Sequence, residues 1–319
     1  MHDIRLSINP TYLCNFRCKF CYLSDEQLSS PRHISAEGLF QKLEEVAVHR
    51  TIQHIDLYGG EVAALPPHVL RNLLQQLRFF YRGPINVITN YSQANSALDD
   101  EGIYLTVSWD YVGRERHEFV YQRMLDIRRD FSILILASER LVNLPDVELD
   151  HMIDLLNALP SLRSVEIKPF SDNRYHSQAV TFLDYERWVM RWIERGARFR
   201  FEFVNEANIK RALAAASSSW SDDHLYITPE ARFAVLEFDG QGKEYFLEFD
   251  DFSFYEAWVQ GERQKVSSNA FCSQCDYLGH CLSEHLQEVK SLDSSCNGFR
   301  GLLDWYRSKG PQLQTERDE

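Results

Sequence analysis

An α/β chain with a parallel sheet and helices outside it follows from three observations. Short apolar strands alternate with amphipathic helices over residues 4–196. One segment, Phe131–Ala137, is almost wholly apolar, as expected of a parallel strand covered on both faces. After residue 197 the pattern changes, and hairpin-like segments appear.

Residues 4–9 alternate apolar and polar side chains and read as strand one, ended by Pro10. Ser35 caps a helix whose Leu39, Phe40, Leu43 and Val46 share a face. Residues 53–58 form strand two, stopped by Gly59-Gly60. Prolines open a helix over 66–80. Gly83-Pro84 turns into strand three at 85–89, and strand four spans 103–109. A helix at 117–128, the strand Phe131–Ala137, a helix over 146–159, strand six at 164–169 and a helix over 185–196 complete the alternation. A strand at 198–204 and a helix at 205–215 lead to a serine-rich break at 217–223. Residues 225–228, 233–237 and 245–249 suggest a hairpin region with Asp239-Gly240-Gln241-Gly242 as its turn. A short amphipathic helix at 252–260 precedes a second cysteine group. The expected divisions are residues 1–216, 217–310 and a frayed charged tail at 311–319.

Of the 319 residues 44% are apolar and 25% charged, enough to bury a sizeable core. The net charge of −13 offers no basic surface for nucleic acid or anionic lipid. No stretch approaches a membrane span, and the N-terminus lacks a signal-peptide apolar run. A cytoplasmic location is expected, where seven cysteines point to metal binding or catalysis rather than disulfides.

Cys14, Cys18 and Cys21 are spaced C-x3-C-x2-C, and no cysteine follows until Cys272. An odd triplet without a secretory signal disfavours disulfides. Structural zinc normally takes four protein ligands, in C-x2-C or C-x4-C pairs. Iron–sulfur clusters are held by short cysteine runs. Three cysteines on a four-iron cube leave one iron without a protein ligand.

This spacing after strand one, with Phe20 before the third cysteine, resembles the radical S-adenosylmethionine (SAM) superfamily. The resemblance implies a partial (β/α)6 TIM-like barrel, its chemistry at the C-terminal ends of the strands. It implies a [4Fe-4S] cluster on Cys14, Cys18 and Cys21 that cleaves SAM to methionine and a 5′-deoxyadenosyl radical. Tyr58-Gly59-Gly60-Glu61 matches the family's G-G-E motif, which makes Gly59, Gly60 and Glu61 ligands of the SAM amino group. Ser108 in Thr106-Val107-Ser108-Trp109-Asp110 matches a family position near the SAM ribose. His117, Glu118 and Arg123 follow at loosely matching spacing, while Tyr111 stands where the family usually has glycine. Asn90 after strand three and Lys168 after strand six are further polar candidates.

The second group is Cys272-x2-Cys275-x5-Cys281-x14-Cys296. A zinc knuckle fits this spacing. Its core also resembles the SPASM extension of peptide-modifying radical SAM enzymes, which implies an auxiliary [4Fe-4S] cluster on these four cysteines. A full extension carries two auxiliary clusters. Here Ala231 and Leu236 replace the glycine and cysteine of a G-x4-C hairpin, and His285 stands where a further cysteine belongs. The resemblance then implies a small C-terminal SPASM-like extension with the outer cluster alone, His285 remaining a polar residue.

The expected activity is hydrogen abstraction from a substrate, foremost a ribosomally made peptide undergoing oxidative modification or crosslinking. A sugar or amino-acid derivative is the alternative substrate, and a non-catalytic zinc protein the alternative class. The family implies an external low-potential electron donor of flavodoxin or ferredoxin type. With the chain starting one strand before the cysteines, a leader peptide would bind elsewhere or through a separate leader-binding protein.

Overall fold

The structure, a computed structural model, describes residues 2–318 apart from 171, 172, 174, 177, 221, 222, 237–245, 284–295 and 297. The first half contains β1 (His2–Ile8), α1 (Asp25–Ser29), α2 (Ala36–His49), β2 (Arg50–Leu57), α3 (Pro67–Phe80), β3 (Ile85–Thr89), β4 (Ile103–Ser108), α4 (His117–Met124), β5 (Phe131–Ala137) and α5 (Glu139–Val142). The second contains α6 (Asp146–Asn157), β6 (Leu162–Pro169), α7 (Phe182–Ile193), β7 (Glu202–Phe203), α8 (Val204–Leu213), β8 (His224–Ile227), β9 (Phe233–Leu236), β10 (Phe246–Phe249), α9 (Phe252–Ser268) and α10 (Arg300–Asp318).

One sheet holds all ten strands in the order β10-β9-β8-β1-β2-β3-β4-β5-β6-β7. From β8 through β1 to β7 every pairing is parallel, whereas β8–β9 and β9–β10 are antiparallel. This is the α/β architecture of a partial TIM-like barrel. The strands beyond the serine-rich break at 217–223 join the barrel's own sheet, since β8 pairs with β1 from Arg5↔His224 to Ile8↔Ile227.

Local chemistry sets the boundaries. The Ser35 side chain accepts from the Gly38 N–H and starts α2. Ser24 with Gln27, and Thr181 with Asp184, form capping boxes at α1 and α7. β5 alternates buried and half-buried residues, so the apolar run is not covered equally on both faces. Phe131, Ile133, Ile135 and Ala137 lie in the core with Leu149, Met152 and Trp188, while Leu134 and Leu136 line a cavity on the inner face.

That inner face is polar. Ser7 and His224 hydrogen-bond at 2.9 Å. The Asp56 carboxylate accepts from His54 at 2.9 Å and Asn86 at 2.6 Å, and Thr106 donates to Asn86 at 2.7 Å. Tyr104, Ser132 and Ser164 form a second chain across β4, β5 and β6. Polar groups withdrawn from water need such partners.

Three expectations change. The strand expected at 198–204 shrinks to β7 behind a 3-10 turn at Gly196–Arg198. The helix expected at 252–260 runs to Ser268 as α9. The tail expected to fray from residue 311 is helical to Asp318 in α10. Gly301, Gly310 and Pro311 hide α10 from propensity, but Leu302, Leu303 and Tyr306 are buried in the α6–α7–α8 core and hold it. The turn expected at 239–242 lies outside the described residues, as does His285.

Asn205 ties α8 to β6. Its Oδ1 accepts from the Ile167 N–H at 2.8 Å and its Nδ2 donates to the Ile167 carbonyl at 2.7 Å. Asn205→Leu strands the Ile167 N–H, while the Ile167 carbonyl keeps the Tyr185 hydroxyl at 3.0 Å, and urea unfolding is expected to show a loss of about 1–3 kcal/mol. An unchanged midpoint would mean that water replaces the amide.

Candidate active site

The loop after β1 carries Cys14, Cys18 and Cys21 over the C-terminal ends of the strands. Backbone bonds fix its course. Cys14 N–H donates to the Leu28 carbonyl at 3.0 Å, and Cys21 N–H to the Cys18 carbonyl at 3.1 Å. The turn after β2 grips the same loop, with Gly60 N–H donating to Thr11 O at 3.0 Å and Glu61 N–H to Leu13 O at 2.7 Å. A Cβ at Gly60 would sit 2.3 Å from Tyr12 O, and Gly59 has φ +147°. The glycine pair is therefore required by close approach of the cysteine loop as well as lining the cavity.

All three thiols face one cavity of about 330 Å³, whose walls include Phe20, Gly59, Gly60, Asn90 and Ser108. The structure thus brings together these sequence candidates. Glu61 stands apart: it is fully buried and does not line the cavity. Its carboxylate accepts from Thr89 Oγ1 at 2.5 Å, Ala63 N–H at 2.8 Å and Asn90 N–H at 2.7 Å. Burial pushes its pKa up, and those three donors oppose the shift. Asn90 in turn donates to Asn15 at 2.9 Å and approaches the Cys14 sulfur at 3.9 Å. Lys168 lines the cavity and pairs with Glu166 at 2.9 Å. His117, Glu118 and Arg123 lie outside the lining; Arg123 packs its guanidinium 5.0 Å from the Tyr91 ring.

Burial pushes all three thiols up, Cys18 to about 12, and Arg114 works against the rise at each. Arg114, like Asp56 and His224 in the same lining, is a residue that the sequence reading missed. It lines the cavity, donates to Asp110 at 2.7 Å and to Ser108 Oγ at 2.8 Å, and lies 5.3 Å from the Phe20 ring centre. Asp110, fully buried, also accepts from the Leu136 N–H at 2.6 Å. The one available signal was the i,i+4 spacing of Asp110 and Arg114 after strand four. Tyr111 adopts φ +41°, so the left-handed turn persists without glycine. Contacts with Trp109 and His117, and a hydrogen bond to Glu148 at 3.2 Å, hold it there. Ala231 likewise keeps a left-handed φ of +57° where the G-x4-C hairpin has glycine, and Leu236 lines the main cavity.

Cys272, Cys275, Cys281 and Cys296 line a second, small cavity with Trp220, Tyr277 and Arg300. Burial raises Cys272 to about 11, and the other three cysteines add to the rise. A Cβ at Gly298 would lie 2.8 Å from the Cys281 sulfur, so this glycine makes room for the thiol. Among the described residues no three His, Cys, Asp or Glu meet at a single metal-ion position. The grouping of the thiols rests on shared cavities and mutual electrostatic influence. Three thiols with no fourth beside them suit a cube with one iron left open to a ligand. The four at 272–296 suit a fully ligated cluster or zinc.

A barrel that presents three closely spaced thiols to a ligand cavity at its strand ends defines the class. The model of the Radical SAM superfamily matches residues 8–189, and the chain belongs to that superfamily. No curated protein matches the sequence. Among solved structures, native anSMEcpe with bound AdoMet is 15% identical, with 99% of each chain covered and a TM-score of 0.67. The same protein with AdoMet and the Kp18Cys peptide is 14% identical, again with 99% of each chain covered, at TM-score 0.69. Streptococcus suis SuiB bound to precursor peptide SuiA is 13% identical at TM-score 0.64, covering 88% of this chain and 71% of that one. These likenesses show the fold. The family implies a four-iron cluster and SAM. Among the described residues no helix is long and apolar enough to cross a membrane.

Removing Asp110 leaves the Arg114 guanidinium buried without its carboxylate. Asp110→Ala is expected to lose about 3–5 kcal/mol in urea unfolding. The double variant Asp110→Ala/Arg114→Met should recover part of that loss; equal losses in the two would show that the ion pair is not the source.

Proposed function

We propose that the chain is a peptide-modifying radical SAM enzyme with one auxiliary four-iron cluster on Cys272, Cys275, Cys281 and Cys296. The observation that carries the reading is the placement of three thiols at the mouth of a polar-floored cavity of about 330 Å³. Bound there, the cluster and SAM supply a 5′-deoxyadenosyl radical that removes a hydrogen atom from the substrate. Gly59, Gly60, Asn90 and Ser108 border the space for SAM, and Phe20 with Arg114 closes the wall beside it. Burial of the thiols and the apolar residues Phe16, Leu134 and Leu136 limit water at the reacting centre.

A peptide substrate is supported by a second cleft of about 580 Å³ beside the first. Tyr22 lines both, and Tyr12, Glu26, Phe246 and Glu248 extend the second cleft along α1 and β10. A main chain in that cleft can send one side chain past Tyr22 into the barrel. The precursor peptide bound to SuiB and the Kp18Cys peptide bound to anSMEcpe agree with this reading. All seven cysteines are assigned to clusters, so none is left as a hydrogen-atom donor, which favours an oxidative outcome. Reducing electrons come from a low-potential flavodoxin- or ferredoxin-type donor. A separate protein holds any leader segment, and the enzyme works in the cytoplasm.

Anaerobic reconstitution is expected to give about eight irons and eight sulfides per chain, as two four-iron clusters require. Cys18→Ala should halve that content and abolish 5′-deoxyadenosine formation from SAM and dithionite. About two zinc ions without iron or sulfide in anaerobically prepared protein would overturn the enzyme reading.

A further inference from the structure

The cavity floor contains a charged group that the proposed chemistry leaves unused. Asp56 is the one carboxylate among the described residues lining the main cavity. It sits on β2, in register with Ser7 of β1 and Asn86 of β3. Its side chain is only 18% exposed. Oδ1 is held on two sides, by His54 Nε2 at 2.9 Å and Asn86 Nδ2 at 2.6 Å. Oδ2 has no hydrogen-bond partner among the described residues. Burial works against the charge, but the bonds from His54 and Asn86 and the nearby His224 bring the carboxyl below its usual range. The result is an ionised, immobilised carboxylate with one oxygen open to the cavity.

The charges there have partners within the chain: Arg114 is matched by Asp110 and Lys168 by Glu166, and Asp56 meets the half-exposed His54, whose pKa its carboxylate raises. These partners leave Oδ2 of Asp56 as an acceptor, and a cationic donor makes a stronger, charge-assisted hydrogen bond to it than a neutral one. Depth also selects. Asp56 lies two residues below Tyr58 at the strand end, about 6–7 Å along the strand. That is the reach of an extended lysine or arginine side chain.

We propose that Asp56 is the anchor of a subsite for a cationic side chain of the substrate, its ammonium or guanidinium hydrogen-bonded to Oδ2. This specificity rests on the peptide reading above. It assigns that peptide a lysine or arginine at the modified position or beside it. Asp56 positions the substrate and takes no part in electron or hydrogen transfer.

The test uses the reconstituted enzyme with SAM and acetylated, amidated Gly-X-Gly tripeptides, in which X is lysine, norleucine or ornithine. Calorimetry is expected to show the lysine peptide binding at least about tenfold more tightly than the norleucine peptide, whose side chain keeps the four carbons and lacks the ammonium. Asp56→Asn, which keeps the shape and the Oδ1 acceptor, should bring that ratio to about one. Asp56→Glu raises the carboxylate by one methylene and should shift preference from lysine to the shorter ornithine, a change that a merely structural role would not produce. Equal binding of lysine and norleucine to the wild-type enzyme, no binding of the lysine peptide at millimolar concentration, or a preference that survives Asp56→Asn would each overturn the proposal. Substrate-free formation of 5′-deoxyadenosine is measured in parallel. Its absence from the wild-type enzyme, with the lysine preference intact, would sink the catalytic reading and leave the Asp56 subsite standing.

Discussion

The site depends on two backbone hydrogen bonds between the cysteine loop and the turn after β2. Gly60 donates to Thr11 and Glu61 to Leu13, at 3.0 and 2.7 Å. Contact this close excludes a Cβ at Gly60. The circuit then closes through side chains. Glu61 binds the end of β3 at Thr89 and Asn90, and Asn90 returns to Asn15 and Cys14 on the loop. The thiols are thus oriented by buried hydrogen bonds of the chain itself, before any ligand arrives. Such preorganisation removes ordering entropy from cofactor binding.

This circuit changes the meaning of the G-G-E segment. The resemblance assigned Glu61 to the SAM amino group. Here its oxygens accept from the Thr89 hydroxyl and from the Ala63 and Asn90 N–H groups, and the glycine pair lines the cavity. The two roles are compatible, because the turn that holds the loop also borders the cavity. They separate by side chain: the carboxylate stabilises the wall, and the exposed main chain forms it.

The alternating part of the fold was legible because burial repeats along it. Strands β3 and β5 begin and end where the apolar pattern does, and α2 starts at its capping serine. That Cys14, Cys18, Cys21, Phe20, Gly59, Gly60, Asn90 and Ser108 share one cavity was legible because they follow the C-terminal ends of neighbouring strands. Other features were hidden for identifiable reasons. Helix α10 contains Gly301, Gly310 and Pro311, which intrinsic propensity counts against it, and tertiary burial overrides them. Arg114 reads as an ordinary surface residue until Asp110 and Ser108 turn it inward. Tyr111 and Ala231 stand at positions where the resembled patterns have glycine, the usual residue at positive φ. Packing fixes the left-handed backbone at Tyr111, where the buried ring contacts Trp109 and His117.

The hairpin of β8 and β9 has a wider consequence. Leu236, at the position that the SPASM resemblance gives to a cysteine, borders the main cavity near Tyr226 of β8. Tyr22, Tyr58 and Tyr226 stand together on that side, and burial raises the Tyr58 phenol well above its usual range. A cluster at this position would add charge to the cavity wall. Neutral phenols and an aliphatic side chain leave the wall uncharged and hold the dielectric low. An ion on the floor is screened less in such surroundings, so Asp56 gains influence from the uncharged lining beside it.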